Sequence, residues 1–376
     1  MKVEPSLSPS TMSLAPVDTK GTHLLYHDSG IPGSSASYVT LVVFHGTVFH
    51  SENFKPMLLY ACTYNMRIVL VNLRGYPGST PFSSEEVDVM LSQDIEGMTT
   101  ILEERGREAA SFLSWLIETK GLPPILTSNG VSEKHQKRLS GGIAVLGWSS
   151  GAAIPFSLLS NAGKLPKATQ ELLERYLRSC ILWDPASYAV GCQFPPIEEF
   201  YCPLRDPALT PEEIAQTFVH WVSSFFEHDP YTLDSLESAT SFSTLIPGIS
   251  GQPISDPPEH QLPVTKTLSP KQFVTNVDLR GALGSHVPYL FMNRAVYEEN
   301  ARRALQGKSI WPNVKMVLVW CDMSVGEVLL GSWRIIQLAQ ESKNGRGLVV
   351  QRMRGANHFP HWNEAERTVK LLAELL

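Results

Sequence analysis

The sequence predicts an α/β protein built on a mostly parallel sheet with helices on both faces. Short apolar runs rich in β-branched residues, of the kind that form buried strands, recur along the chain. Helical patterns lie between these runs, and an alternation of strands and helices is typical of a parallel sheet. The chain has 376 residues, 43% of them hydrophobic, which is enough for a sizeable core.

The predicted elements follow one another in a regular order. Strands are predicted at residues 23–26, 38–44, 66–71, 143–146, 180–183, 314–320 and 347–353. Helices are predicted at residues 94–119, 171–178, 326–340 and 363–376, the first of them from an apolar stripe at helical spacing. Residues 121–140 form a polar connection that contains a short basic run at residues 134–138.

Two stretches depart from this alternation. Residues 1–20 are rich in Ser and Pro, which predicts a disordered N-terminal arm without the apolar segment of a signal peptide. Residues 186–310 are rich in Pro, Phe, Tyr and His, and helices are predicted there at residues 211–226 and 293–305. We therefore expect a core of residues 21–185 and 311–376. We expect residues 186–310 to form a largely helical lid over the carboxyl ends of the strands, where ligands bind in such sheets.

The composition argues against several classes of protein. A formal net charge of -6 gives no reason to expect a nucleic-acid partner. No run of about 18 apolar residues predicts a membrane-spanning helix. The 5 cysteines match no metal motif, so we expect no metal and a reducing, cytoplasmic setting. A small molecule is the expected partner, and nothing indicates the oligomeric state.

The strongest motif is Gly-Trp-Ser-Ser-Gly at residues 147–151. It follows a predicted strand and precedes a helical pattern, which is the strand–turn–helix setting of a nucleophilic serine. Both glycines are needed because larger side chains would clash in so tight a turn. We therefore predict Ser149 as the nucleophile, in a strained backbone conformation, with the N–H of Ser150 facing a developing oxyanion. An ordinary strand-to-helix turn is the competing interpretation.

A second motif, His45-Gly46-Thr47, follows another predicted strand. Gly46 permits close approach of the backbone, so the N–H of Thr47 or Val48 can complete an oxyanion hole. We expect His45 and Gly46 to lie in the substrate-binding site. Trp148 either lines that site or packs in the core.

The base is predicted at His358, which ends the run Gly-Ala-Asn-His at residues 355–358 after the last strand. A serine hydroxyl needs a base to take its proton, and histidine is suited to this near neutral pH. The chain order serine, acid, histidine fits this architecture. His361 is a nearby competitor.

Three carboxylates compete to be the acid that orients the base. Asp322 follows the predicted strand at residues 314–320 and is our choice. Asp184 ends the predicted strand at residues 180–183 and is the second candidate, although an aspartate before Pro185 commonly forms a turn. Glu327 is the third candidate.

At these residues the chain resembles the α/β-hydrolase superfamily. His45-Gly46, the Arg-Gly-Tyr-Pro-Gly-Ser run at residues 74–79 and the two motifs at residues 147–151 and 355–358 stand in that family's order and approximate spacing. The resemblance implies a doubly wound sheet of about eight strands, a serine nucleophile and an inserted cap. In many members a glycine closes the strand before the acid, and an aspartate follows it. Here Cys321 and Ser324 take those two places.

The expected activity is hydrolysis of a carboxylic ester or lactone of a moderately apolar small molecule, through an acyl-enzyme on Ser149. No metal or organic cofactor is needed for such chemistry. Aromatic residues of the lid suggest an apolar substrate, although they fit packing of the lid equally well. They are Phe218, Trp221, Phe225, Phe226, His228 and Tyr231. One alternative is another reaction on the same triad, by a C–C bond hydrolase, lyase or acyltransferase. The other is a non-catalytic ligand-binding protein of this fold.

Overall fold

A computed structural model describes residues 11–33, 36–92, 94–126, 140–342 and 344–376. Eight strands form one sheet: Thr11–Pro16 (β1), His23–Asp28 (β2), Val39–Phe44 (β3), Met66–Val71 (β4), Ile143–Trp148 (β5), Leu177–Trp183 (β6), Lys315–Cys321 (β7) and Leu348–Met353 (β8). Their spatial order is β1-β2-β4-β3-β5-β6-β7-β8. Strands β3 to β8 are parallel, and β1 and β2 are antiparallel to their neighbours. The predicted mostly parallel sheet is therefore confirmed.

Strand β1 corrects the prediction of a disordered arm over residues 1–20. It pairs with β2 from Thr11 opposite Asp28 to Pro16 opposite His23, and it buries Ala15 completely. The Ser and Pro content concealed this strand, because proline is tolerated at the edge of a sheet and this strand lies at the edge. Residues 1–10 and the basic run at residues 134–138 lie outside the described residues.

The longer helices lie between the strands. They are Ser84–Leu91 (α1), Ile95–Lys120 (α2), Ala153–Ser160 (α3), Lys167–Glu174 (α4), Pro211–Val222 (α5), Arg294–Gln306 (α6), Gly326–Gln340 (α7) and Ala365–Leu375 (α8). The helix predicted at residues 171–178 is wrong at its end, because β6 already begins at Leu177 and is buried throughout. Among the described residues, no helix is both long enough and apolar enough to cross a membrane.

Two hydrophobic cores lie on opposite faces of the sheet. On one face, side chains from α2, α3, α6 and α7 pack on alternate strand residues such as Val42, Val145 and Leu318. On the other face, the 3₁₀ helix Ser51–Tyr60 and α8 pack on intervening residues such as Val43 and Leu146. Because adjacent side chains of a strand point to opposite faces, continuous apolar runs are what a sheet covered on both sides requires.

The residues between β6 and β7 divide into two parts. Helix α6 packs on α2, α3 and α7 and therefore belongs to the layer that covers the sheet. This corrects the boundary predicted at residue 310. Residues 186–293, which we call the insertion, contain α5, the helices Pro230–Ser235 and Pro270–Asn276, and several shorter turns.

The insertion contacts the loops that follow four of the parallel strands. The Asp278 N–H donates to Val48 O after β3, and Ser150 after β5 is hydrogen-bonded to His286. The Phe226 N–H donates to Met323 O after β7, and Asn357 after β8 donates to a backbone carbonyl of the insertion. The insertion thus lies at the carboxyl ends of the strands.

The aromatic residues of the insertion serve mainly to attach it to the body of the protein. Phe218, Trp221 and Phe226 are buried in the same core as Trp148 and Phe359. His228 accepts from the Ser250 N–H and donates to Ser324 O, so both of its ring nitrogens are occupied. Tyr231, in contrast, is 81% exposed. Packing is therefore the better interpretation of this cluster than a substrate pocket.

Candidate active site

Ser149 follows β5 in a tight turn. Its φ is +55°, a conformation that few residues other than glycine adopt, and the short helix Ser149–Ala152 begins at this residue. A Cβ atom at Gly147 would lie 2.3 Å from Gly151 O, and one at Gly151 would lie 2.3 Å from His45 O. Both positions therefore exclude side chains, as expected from the sequence. Ser149 is half-buried.

Asp184 occupies the equivalent place on the neighbouring strand. Trp148 of β5 pairs with Trp183 of β6, so Ser149 and Asp184 are the next residues of two adjacent parallel strands. The φ of Asp184 is +47°, and its side chain is fully buried. The Cys321 N–H and the Ser324 hydroxyl donate to its two carboxylate oxygens, each at 2.7 Å.

His358 is bound to Asp184 and not to Asp322. Its Nδ1 lies 2.6 Å from Asp184 Oδ2. Asp322 instead accepts from Arg352 Nε at 2.9 Å and from the Gly355 N–H at 2.6 Å. The prediction of Asp322 as the acid partner is therefore wrong, and the second candidate holds the imidazole.

Glu327 also lies away from His358. It accepts from the Ser187 hydroxyl at 3.2 Å and faces the Cys202 thiol. Burial raises the pKa of Glu327 to about 7. This carboxylate therefore belongs to the buried core between β6 and α7 and does not orient the imidazole.

Trp148 holds His358 from behind. The two rings stack with centroids 4.6 Å apart, and Trp148 Nε1 donates to His358 O at 3.0 Å. Since Trp148 is 1% exposed, it does not line a substrate site, and the core-packing alternative is correct. With Nδ1 bound to Asp184, Nε2 is the nitrogen of His358 that remains for Ser149. In the described part of the chain Ser149 Oγ forms no hydrogen bond, which is compatible with its candidate role because such bonds are often long without substrate.

His361, the competing histidine, is placed differently. It stacks on Phe54 at 3.9 Å and bonds to Asn53 Oδ1 at 2.9 Å. Burial lowers its pKa well below the usual value. No carboxylate among its described partners orients it, so it packs the core beneath His358.

The loop at residues 46–50, which we call the oxyanion loop, lies against Ser149. A Cβ atom at Gly46 would be 2.7 Å from Ser149 Cβ and 3.2 Å from its Oγ. Val48 has a φ of +71°, and the Phe49 N–H donates to Thr47 O at 2.8 Å, which closes a γ-turn. Gly46 is therefore the residue that allows this loop to reach Ser149.

Of the two backbone donors predicted from this loop, Thr47 is the better placed. The Val48 N–H is already bound to Tyr76 Oη at 2.9 Å. The Thr47 N–H has no acceptor within the described residues. Ser150 remains the candidate for the second N–H, since it lies in the first turn of its helix, where backbone donors lack intrahelical partners.

His45 is a structural residue that precedes the oxyanion loop and not a substrate contact. It is fully buried, its Nδ1 bonds to Gly46 O at 2.7 Å, and its Nε2 accepts from the Leu73 N–H at 3.0 Å. Burial and the nearby His50 lower its pKa well below the usual value, which keeps the ring neutral. The substrate-binding role predicted for His45 is therefore wrong.

No sequence motif indicated the residue that approaches this centre from the insertion. His286, at the end of the π-helical turn Ala282–His286, places Nε2 3.1 Å from Ser150 Oγ. Ser150 Oγ in turn lies 2.9 Å from Thr47 Oγ1. Burial lowers the pKa of His286 to about 4. Tyr76 belongs to the run at residues 74–79 that was part of the family resemblance. That run does not predict the hydrogen bond that Tyr76 Oη accepts from the Val48 N–H.

Side-chain geometry, not cavity size, identifies this site. A cavity of about 700 Å³ lies at the opposite, amino end of β6 and β7, where Arg178, Trp311 and Lys315 line it. A cavity of about 20 Å³ beside His286 has room for about one water molecule. Across the described ranges, no group of three or more His, Cys, Asp or Glu side chains is arranged to hold a metal ion.

Comparisons with known proteins show the fold. No protein-family model matches the sequence, and no curated protein matches it. Among solved structures, a bromoperoxidase from Bacillus anthracis is 12% identical with a TM-score of 0.51, covering 97% of this chain and 99% of its own. A serine hydrolase from Cycloclasticus zankles is 11% identical with a TM-score of 0.51, covering 97% of this chain and 98% of its own. At such identities the likeness extends to the fold alone.

Proposed function

We propose that this protein, which has the fold of the α/β-hydrolase superfamily, is a serine hydrolase. The observation that carries the proposal is the bond between His358 Nδ1 and the buried Asp184 carboxylate, set beside a strained serine on the adjacent strand. A carboxylate at Nδ1 fixes the tautomer whose Nε2 can take a proton, and it stabilises the imidazolium that results.

The proposed cycle uses the side chains as the geometry arranges them. His358 takes the proton of Ser149 as the oxygen attacks the carbonyl of a carboxylic ester or lactone. The N–H groups of Thr47 and Ser150 hold the oxyanion, and one such donor lowers the barrier by about 3 kcal/mol. His358 then protonates the leaving alcohol, and water releases the acid from the acyl-enzyme by the reverse sequence.

The class of substrate follows from the surroundings of the site. The core beside the site, which joins Trp148 and Phe359 to aromatic residues of the insertion, is apolar, so we expect a small, moderately apolar ester and not a charged one. Product analysis on a panel of esters and lactones tests this part of the proposal. Cleavage of a C–C bond, or acyl transfer to an alcohol in place of water, would keep the triad and change the reaction.

A fluorophosphonate labelling experiment tests the nucleophile. The intact mass of the wild type should rise by a single adduct, and the Ser149→Ala variant should show none. His358→Ala should label at least about a thousandfold more slowly, because the hydroxyl then lacks its base. His361→Ala is the matched control, since it removes a neighbouring buried imidazole that does not contact a carboxylate. A folded wild type that forms no adduct would refute the proposal and favour a ligand-binding protein.

A further inference from the structure

The insertion supplies a side chain to the machinery that holds the oxyanion. His286 Nε2 lies 3.1 Å from Ser150 Oγ, which lies 2.9 Å from Thr47 Oγ1. Ser150 and Thr47 are the two residues whose backbone N–H groups are assigned to the oxyanion hole in the proposed function. Their hydroxyls therefore join the two halves of the oxyanion hole, and His286 is the third member of the chain of hydrogen bonds.

His286 itself is held firmly. It is 2% exposed, and its ring lies 5.4 Å from the ring of Tyr76 and 5.7 Å from that of Tyr289. Tyr76 is also the residue whose hydroxyl accepts from the Val48 N–H. The turn that carries His286 lies close to Gly75, where an added Cβ would be 2.2 Å from Ser285 Oγ.

The backbone of the insertion is hydrogen-bonded to the other side of the oxyanion loop. Phe49 forms an antiparallel bridge with Val277. The Asp278 N–H donates to Val48 O at 2.9 Å, and the His50 N–H donates to Asn276 O at 3.4 Å. The γ-turn at Val48 is strained, and such a turn persists only where its surroundings fix it. Here those surroundings are largely the insertion.

We propose that His286 is a positioning residue of the oxyanion hole, and that it acts through the hydroxyls of Ser150 and Thr47. The inference rests on the proposed serine hydrolase function and extends it, because it makes the insertion part of the catalytic machinery. Oxyanion donors stabilise the transition state only when they lie about 2.7–3.1 Å from the oxygen, so a small displacement of either N–H slows acylation.

The test is the rate at which a fluorophosphonate inactivates the wild type, His286→Ala, His286→Gln and Thr47→Val. Rates are expressed per folded molecule, from circular dichroism and active-site titration. We expect His286→Ala to lower the limiting rate of inactivation about tenfold. The reagent concentration that gives half of the limiting rate should change less than about threefold. His286→Gln should restore most of the rate, since its amide can reach the position of Nε2.

The chain of hydrogen bonds also predicts the behaviour of a variant that carries both His286→Ala and Thr47→Val. The losses of His286→Ala and Thr47→Val should not add in the double variant, because both break one chain of hydrogen bonds. His220→Ala is the matched control, as this histidine also belongs to the insertion and bonds to a hydroxyl, that of Thr265, at 3.1 Å. It should inactivate at the wild-type rate.

Each outcome decides between the two proposals. If the wild type labels at Ser149 and His286→Ala labels within twofold of it, the positioning role is wrong and the hydrolase function stands. Additive losses, or a His286→Gln variant as slow as His286→Ala, would also overturn the positioning role. If the wild type does not label at all, the proposed function fails and the inference built on it fails too.

Discussion

At the carboxyl ends of the neighbouring strands β6 and β7, two aspartates lie in different environments. Asp184 after β6 is fully buried and meets a backbone N–H, a hydroxyl and an imidazole. Asp322 after β7 is also largely buried, but it meets the Arg352 guanidinium and the Gly355 N–H. The one binds His358, and the other ties β7 to the turn after β8.

The imidazole therefore binds whichever carboxylate reaches His358 Nδ1, regardless of which of the two strands that carboxylate follows. Adjacent parallel strands lie about 4.8 Å apart, so a carboxylate on either one can meet the same imidazole. The resemblance to the α/β-hydrolase superfamily placed the acid after β7, at the position of Ser324. Here Ser324 Oγ donates to Asp184 at 2.7 Å and lies 3.5 Å from His358 Nδ1.

Substitution of each aspartate by asparagine distinguishes the roles of Asp184 and Asp322. Asp184→Asn should lower the rate of ester hydrolysis and of fluorophosphonate labelling by about 10³–10⁴, because an amide stabilises the wrong tautomer of His358. Asp322→Asn should change these rates less than about threefold and instead lower the midpoint of urea unfolding, since Arg352 loses one of its two carboxylate partners and keeps Asp234. Equal losses of activity in the two variants would contradict the assignment of Asp184.

A third buried carboxylate, Glu327, is expected to affect the free energy of unfolding and not the activity. Glu327 has one hydroxyl and one thiol as partners, and burial raises its pKa from 4.5 to about 7. The folded state therefore favours the protonated acid, and its stabilising contribution is present below pH 4.5 and is lost as the pH rises through 7. A shift of this size corresponds to about 3 kcal/mol of unfolding free energy.

Glu327→Gln should remove that part of the pH dependence, because the amide has no charge to bury. Urea unfolding of the wild type and the variant at pH values of about 5 and 8 measures it. Between those values the wild type should lose about 2.5 kcal/mol more stability than the variant, since the other titrating groups cancel in the comparison. Parallel pH profiles would show that Glu327 is ionised in the fold.

A double variant moves the carboxylate from the end of β6 to the turn after β7, and its expected effect is modest. In the Asp184→Asn background, Ser324→Asp places a carboxylate in the turn after β7, within reach of His358. We expect about a tenfold recovery of the labelling rate, limited by the poor fit of a larger charged side chain in a fully buried place. Ser324→Asn in the same background is the control and should recover nothing. No difference between these two double variants would mean that the backbone after β7 cannot present an acid.

Much of the fold follows from the sequence because buried strands have a strong local signature. The apolar runs before His45, Ser149 and Asp184 predict β3, β5 and β6, and the glycines at residues 147 and 151 predict the turn that exposes the serine. Strand β1 lacks such a run because it buries only one side at the edge of the sheet, and its larger apolar side chains, Met12 and Leu14, lie on the exposed side.

The site was less predictable because its contacts are not local. Whether Asp184 or Asp322 meets His358 depends on the direction of side chains at two adjacent strand ends, and the sequence around both is similar. The role of Trp148 depends on which face of the turn its ring packs. His286 belongs to an irregular segment whose path no periodic pattern describes.

The hydrogen bonds that assemble the site connect distant parts of the chain. They join residues 174 positions apart for Asp184 and His358, 210 apart for Trp148 and His358, and 136 apart for Ser150 and His286. Closing such long loops costs chain entropy before any contact compensates for it, so these contacts are expected to form late in folding and to open early in unfolding. The proposed hydrolase activity would then be a sensitive probe of the complete fold, because partial unfolding would abolish it while most of the sheet persists.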